Sequence, residues 1–325
     1  MSAKVLLLHI SDLHFGARYL SGRRRSLPQG LQPHDLMACD DLELVWKQLI
    51  WTERPKLALV VVSGDLTLMG LDAEFCVANT FIRGRIHSQW NLASGLGGTA
   101  DQQWAVPGNH DHWGGRLNPL FVLQQRWLHG SMFPRLSNRS CWAERYDDIP
   151  GLQLMLMGLD SNAGPHADPF AKGSIDPADL KELEDWMNDF RSSKDQREVR
   201  ILVMHHSRHF PGVSSKLSHE LDVDSQSLLH DFLRDQRINF VFTGHMHEPI
   251  VPRASIPPTG LELRCGTTLQ RSRSPKSLPS AAGHTFLLHS AELREDQVHW
   301  ESRLFSRKDP ALPFIEQEDP YTCDF

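Results

Sequence analysis

The stretch that decides the fold is Val5-Leu6-Leu7-Leu8-His9-Ile10-Ser11-Asp12-Leu13-His14, an apolar run that ends in a carboxylate and an imidazole two residues apart. Residues two apart in extended backbone point to the same side, so Asp12 and His14 leave one strand end together. The pattern recurs. Leu57–Val62 runs into Gly64-Asp65, and Trp104–Val106 into Gly108-Asn109-His110-Asp111. Ile201–Met204 runs into His205-His206, and Phe240–Phe242 into Gly244-His245-Met246-His247. In open α/β sheets, ligands collect beyond the carboxyl ends of the strands, so five polar clusters at five strand ends converge on one place. Carboxylates, imidazoles and one amide are donors suited to divalent transition metals. Asp65, with two oxygens, can bridge two ions. The glycines before Asp65, Asn109 and His245 fit turns that bring the backbone close to such a site.

Taken one at a time, these clusters say little. Gly-Asp and Gly-Asn pairs are common turn residues, and a single histidine at a strand end is commonly structural. Turn chemistry does not account for five such clusters in this order, each closing an apolar strand. The pair His205-His206 leaves open which of the two ligates.

At 325 residues the chain can bury a large core without disulfides or a partner. The net charge of −6 argues against a broad phosphate-binding surface and leaves room for a local basic groove. Cys39, Cys76, Cys141, Cys265 and Cys323 are scattered and form no CxxC pair, which reads as reduced thiols. Met1-Ser2-Ala3-Lys4 leads into the first strand with no signal-type segment, and no apolar run approaches a membrane span. The expectation is a cytoplasmic protein without a membrane partner.

Strands and helices alternate through most of the chain, which favours an α/β architecture. Asp40 or Asp41 caps a helix through Leu42, Val45, Trp46 and Leu49, with Pro55 just beyond it. A second helix is expected over about residues 72–86, and the glycine-containing stretch 88–103 reads as a mobile loop. Leu152–Leu159 reads as a strand ending in Asp160-Ser161. Asp176-Pro177 opens a helix carrying Leu180, Leu183, Trp186, Met187 and Phe190. Another helix, around 225–236, carries Leu228, Leu229, Phe232 and Leu233. Beyond His247, Leu261–Leu263, Thr285–Leu288 and Val298–Leu304 read as antiparallel strands completing a second sheet. Residues 306–325 read as a polar tail outside a domain of residues 1–305.

With these motifs in place, the chain resembles the calcineurin-like metallophosphoesterases, which are marked by Asp-x-His, Gly-Asp, Gly-Asn-His-Asp/Glu, His and Gly-His-x-His blocks. The resemblance runs from Ile10 to His247, about three quarters of the chain, with every ligand block present. Its character is that of the bacterial cyclic-nucleotide phosphodiesterase-like members. It implies a four-layer α/β/β/α sandwich of two mixed sheets flanked by helices. It implies that Asp12, His14 and His247 hold one divalent ion, that Asn109, His205 and His245 hold a second, and that Asp65 bridges both. Manganese, iron and zinc are the candidate ions. His205 is preferred to His206 because the family's ligand directly follows the hydrophobic strand. His110 would stand beside the scissile phosphate, oriented by Asp111, and is suited to protonate the leaving oxygen or to stabilise the transition state.

The expected activity is phosphodiester hydrolysis, first of a small substrate such as a cyclic nucleotide. The nucleophile is a hydroxide from water whose pKa the metals lower from about 15.7 towards 7. No seryl or cysteinyl nucleophile is needed, so Ser11 and Ser63 read as turn residues, and His9 and His129 as structural. The alternatives are a DNA or RNA nuclease and a phosphomonoester or phosphoprotein phosphatase. The nuclease enters because Ser11-Asp12-Leu13-His14-Phe15-Gly16 resembles the opening block of repair nucleases. His110 and all seven ligands are present, which disfavours a non-catalytic scaffold. Further candidates are Arg23-Arg24-Arg25 for a substrate phosphate, a basic patch of Arg264, Arg271, Arg273 and Lys276, and Trp113, beside His112, for stacking on a base. Specificity in such folds lies in loops.

Overall fold

The computed structural model describes residues 4–16, 34–84, 95–97, 102–112, 140–165, 167, 172–190, 196–208, 221–252, 259–270, 282–309 and 311–325. Strand β1 (Lys4–Ile10) shows why the architecture is layered. Val5 and Leu7 join a core between two sheets, while Leu6, Leu8 and Ile10 join a core beneath helices. A strand buried on both faces needs a continuous apolar run rather than an alternating one. Each such side chain stabilises the fold by roughly 1.5–3 kcal/mol when fully buried.

Strands β2 (Leu57–Val62) and β3 (Gln103–Ala105) extend this first sheet in parallel on one side of β1. On its other side lie β9 (His284–Arg294), β10 (Gln297–Arg307) and β11 (Ile315–Glu316), all antiparallel to their neighbours, with β12 (Tyr321–Asp324) also paired to β10. The second sheet runs β4 (Cys141–Ile149), β5 (Leu152–Leu159), β6 (Arg197–Val203), β7 (Phe240–Thr243) and β8 (Leu261–Arg264), antiparallel at β4–β5 and parallel elsewhere.

Leu154, Leu156, Ile201 and Phe242 of the second sheet pack against Leu7, Leu59, Val61 and Leu287 of the first. Helices α1 (Leu36–Glu53) and α2 (Asp72–Arg83) cover the outer face of the first sheet through Leu42, Trp46, Val77 and Phe81. Helices α3 (Pro177–Asp189) and α4 (Val223–Asp235) cover the second through Leu183, Met187, Leu229 and Phe232. The protein is a four-layer α/β/β/α sandwich of two mixed sheets, as the sequence leads one to expect. Among the described residues no helix is long and apolar enough to cross a membrane.

Four details differ from the sequence reading. Helix α1 begins at Leu36, because Asp35 and not Asp40 or Asp41 is the cap, accepting from the Met37 N–H. Helix α2 stops at Arg83, where Gly84 takes a left-handed conformation (φ 65°) and ends the helix before Ile86. The strands after His247 do not complete the second sheet together. Ile250 forms an antiparallel bridge with Arg264, so the chain doubles back along the sheet edge, and β8 then runs parallel to β7. Strands β9 and β10 join the first sheet instead. The boundary drawn at residue 305 falls inside β10, and β11 and β12 continue that sheet, so residues 306–325 are not a tail outside the domain.

Candidate metal centre

The clusters close over the seam between two sheets rather than along the edge of one. Strands β1, β2 and β3 bring Asp12, His14, Asp65 and Asn109 from the first sheet, and β6 and β7 bring His205, His245 and His247 from the second. Hydrogen bonds stitch the seam, among them His245 N–H to Asp12 Oδ2 at 3.1 Å and His205 Nδ1 to the Ser63 carbonyl at 2.8 Å.

The backbone is strained where the donors sit. Nine non-glycine residues among those described have positive φ, and five of them are expected ligands: Asp12 (53°), His14 (49°), Asp65 (51°), His245 (68°) and His247 (57°). Such left-handed conformations cost on the order of 1–3 kcal/mol each and gather at functional sites. Two glycines make the close approach possible. A Cβ on Gly64 (φ 104°) would lie 2.3 Å from His205 Nδ1, and one on Gly108 would lie 2.2 Å from Asp65 Oδ1.

The side chains form two overlapping groups. Asp12, His14 and His247 each bring a ligand atom within 4.8 Å of the others. Here Asp12 Oδ1 lies 3.1 Å from His247 Nε2 and 3.9 Å from His14 Nε2. In the second group, His205 Nε2 is the hub, 3.2 Å from Asn109 Oδ1, 3.2 Å from His245 Nδ1 and 3.5 Å from Asp65 Oδ2. Asp65 joins the groups, since its Oδ2 is also 3.8 Å from His14 Nε2. All seven expected donors are therefore brought together. His14 is fully buried with neither ring nitrogen hydrogen-bonded. A buried polar group without a partner is costly, and a cation at His14 would remove that cost.

The electrostatics fit the same reading. Burial alone would raise the Asp12 carboxyl, but His247 and His205 overcome it and hold it at about 2. Asp65 is likewise held well below the usual carboxylate range, against burial, by His205, His110 and His14. Burial keeps His14 and His245 neutral, both pushed down to about 3. His205 goes the other way: burial opposes its charge, yet Asp65 and Asp12 lift it to about 9. Two ionised carboxylates in a buried cluster attract positive charge, and the mixed N/O donors suit a divalent cation.

His110 stands beside the donors, with Nε2 3.9 Å from Asp65 Oδ2, and it groups with His14 and Asp65 within ligand range. Its Nδ1 meets the Leu68 carbonyl at 3.0 Å. That carbonyl supplies the orienting contact expected of Asp111. The Asp111 carboxylate accepts instead from the N–H groups of Leu66, Thr67 and Gly108 and from the Thr67 hydroxyl, pinning the turn after β2 to the turn after β3. His206 packs its ring 4.5 Å from that of His245, and its Nδ1 bonds to Ser161 Oγ at 2.8 Å.

Ser161 and Asp160, which lies 3.2 Å from His112 Nε2, border the site without having been expected there. The signal was present, because Asp160-Ser161 closes apolar β5 as the other clusters close their strands. Arg264 is not part of a surface patch. It is buried, and its guanidinium reaches Ser207 and Glu262. Arg23, Arg24, Arg25, Trp113, His129, Arg271, Arg273 and Lys276 lie outside the described residues, as does most of the 88–103 stretch.

The layered fold and this donor set define a metal-dependent phosphoesterase. The family model described as calcineurin-like phosphoesterase matches residues 5–249, and the chain belongs to that family. Membership brings phosphoester substrates and divalent metal ions with it. No curated protein sequence matches the chain. Among solved structures it is similar to a single mutant of Vps29 from Entamoeba histolytica, at 10% identity and TM-score 0.36, over 98% of this chain and 99% of that one. It is also similar to Vps29 from Chaetomium thermophilum, at 8% identity and TM-score 0.33, over 99% and 98%. At those scores the likeness decides nothing about activity.

Proposed function

We propose that the protein is a dinuclear-metal phosphodiesterase acting on a small phosphodiester such as a cyclic nucleotide. The observation that supports it most is the full donor set: two groups joined through Asp65, with His110 alongside. Asp12, His14 and His247 would hold one ion, Asn109, His205 and His245 the other, and Asp65 both. Bound there, two divalent ions would supply Lewis-acid stabilisation of phosphoryl oxygens and lower the pKa of water.

The chain's own groups do the rest. With Nδ1–H donating to the Leu68 carbonyl, His110 presents Nε2 as the nitrogen to carry a proton to the leaving oxygen. Burial pushes His110 down and Asp65 partly offsets this, which favours the neutral ring. Asp111 positions both turns that carry Asp65 and Asn109. A cytoplasmic location belongs to the same proposal, supported by five cysteines that form no disulfide.

The test is an activity screen of metal-reconstituted protein on a cyclic nucleotide, a linear diester, a monoester and single-stranded DNA. Preference for the small diesters supports the proposal. Preference for DNA makes the protein a nuclease, and preference for the monoester makes it a phosphatase.

A further inference from the structure

We propose that His9 and Ser63 are positioning residues of the metal centre, which fix the ring of His205 and so set the affinity of the ion that His205 holds. This rests on the two-metal reading above and extends it to two residues whose sequence context reads as structural.

The Ser63 carbonyl lies 2.8 Å from His205 Nδ1. A carbonyl only accepts, so the contact places a proton on Nδ1 and turns Nε2 towards Asp65, Asn109 and His245. Outer partners of this kind set the tautomer and orientation of a ligating histidine, and removing one typically costs 10–100-fold in metal affinity. Ser63 directly follows β2 and precedes Gly64; its N–H donates to the Ile10 carbonyl at 3.0 Å and its carbonyl also accepts from Ser11 Oγ at 3.3 Å. Its side chain supplies a further anchor: Ser63 Oγ is 2.9 Å from His9 Nε2.

His9 is itself rigidly held. It lies on the inter-sheet face of β1, fully buried, stacked on Phe242 with centroids 4.6 Å apart and planes 11° from parallel. Its Nδ1 is 3.5 Å from His289 Nε2, and His289 Nδ1 is 2.8 Å from Ser302 Oγ, which also accepts the Trp300 indole N–H at 2.8 Å. Val5 and Leu7 occupy the same face of β1 and need no polar atom there. Burying an imidazole between two sheets is costly unless its nitrogens are bonded. Here one of them is bonded to the serine whose carbonyl holds a metal ligand.

The test is stepwise binding of Mn²⁺ to chelator-stripped full-length protein, with His205→Ala and His247→Ala as references showing which step belongs to which ion. His9→Phe keeps the stack on Phe242 and removes the contact to Ser63; Ser63→Ala removes the same contact with a smaller change. Each should weaken the step missing in His205→Ala by about 10-fold and leave the other step as in the wild type. The double variant should be no worse than either single one, and His9→Gln, whose amide can reach Ser63, should recover part of the loss. A folded Ser63→Ala or His9→Phe protein with both steps unchanged, or with both weakened alike, overturns the positioning role. Wild-type protein without two Mn²⁺ steps overturns the metal reading itself.

Discussion

Two sets of histidines lie in the interior or at its rim, and they differ in what their nitrogens do. His9 and His289 sit in regular strands between the sheets, and every ring nitrogen of the pair has a hydrogen-bond partner. His14, His245 and His247 sit in left-handed backbone at strand ends, packed against carboxylates or other imidazoles, and neither ring nitrogen of His14 is hydrogen-bonded. Burial alone does not separate a ligand from a core residue. Strained backbone marks five of the seven donors, and at His14 two unsatisfied ring nitrogens add to it, costs a fold tolerates only where something else offsets them.

The comparison breaks most severely at Asp65, whose Oδ2 faces both His14 and His205. Asp65→Asn should abolish binding of both ions and lower turnover by orders of magnitude while the fold survives. The amide oxygen can still accept the His110 N–H, now 2.9 Å from Asp65 Oδ1. Metal analysis and circular dichroism of the variant check this. Near-normal turnover at limiting metal would remove Asp65 from the bridge.

His110 lies within ligand range of His14 and Asp65 yet has its Nδ1 satisfied, so it sharpens the boundary between ligand and proton carrier. His110→Ala should keep both ions. It should slow esters with poor leaving groups on the order of 10-fold or more beyond an activated aryl ester, which leaves without a proton. Equal losses on both substrates, or loss of one ion, would move His110 into the coordination shell.

The smallest effect is on stability in acid. Burial pushes His9 down to about 3, and burial together with His9 pushes His289 well below the ordinary range. The unfolded chain binds protons near pH 6.5 that the native pair refuses. The stability linked to these residues is therefore fully present above pH 6.5 and is lost as pH falls towards 3. Each can contribute up to about 1.4 kcal/mol per pH unit in that window. Urea midpoints at pH 7 and pH 5 should converge in His289→Phe relative to wild type. An unchanged difference would contradict the assignment of a neutral core pair.

Much of the donor set was legible because its signal is local. An apolar run that breaks into Asp-x-His or Gly-His-x-His states both the strand and the side on which its ligands emerge. What the sequence did not state depends on distant backbone. The Leu68 carbonyl that orients His110 carries no side-chain signature, and Asp111 next to His110 looked like the obvious partner. Strand β4 went unread because its exposed stretch, Glu144 to Asp148, alternates too little to mark an edge strand. Strand β12 is four residues long and owes its place to pairing with β10. The parallel course of β8 follows from the doubling-back at Ile250, a bridge between residues that no periodicity connects.

Two sheets bring seven donors together, and the paired metal site proposed for them has a direct test. Elemental analysis of stripped and Mn²⁺-reconstituted wild-type protein tests it most directly. The account predicts two tightly held ions per chain, and a reconstituted protein holding one ion or none would contradict it.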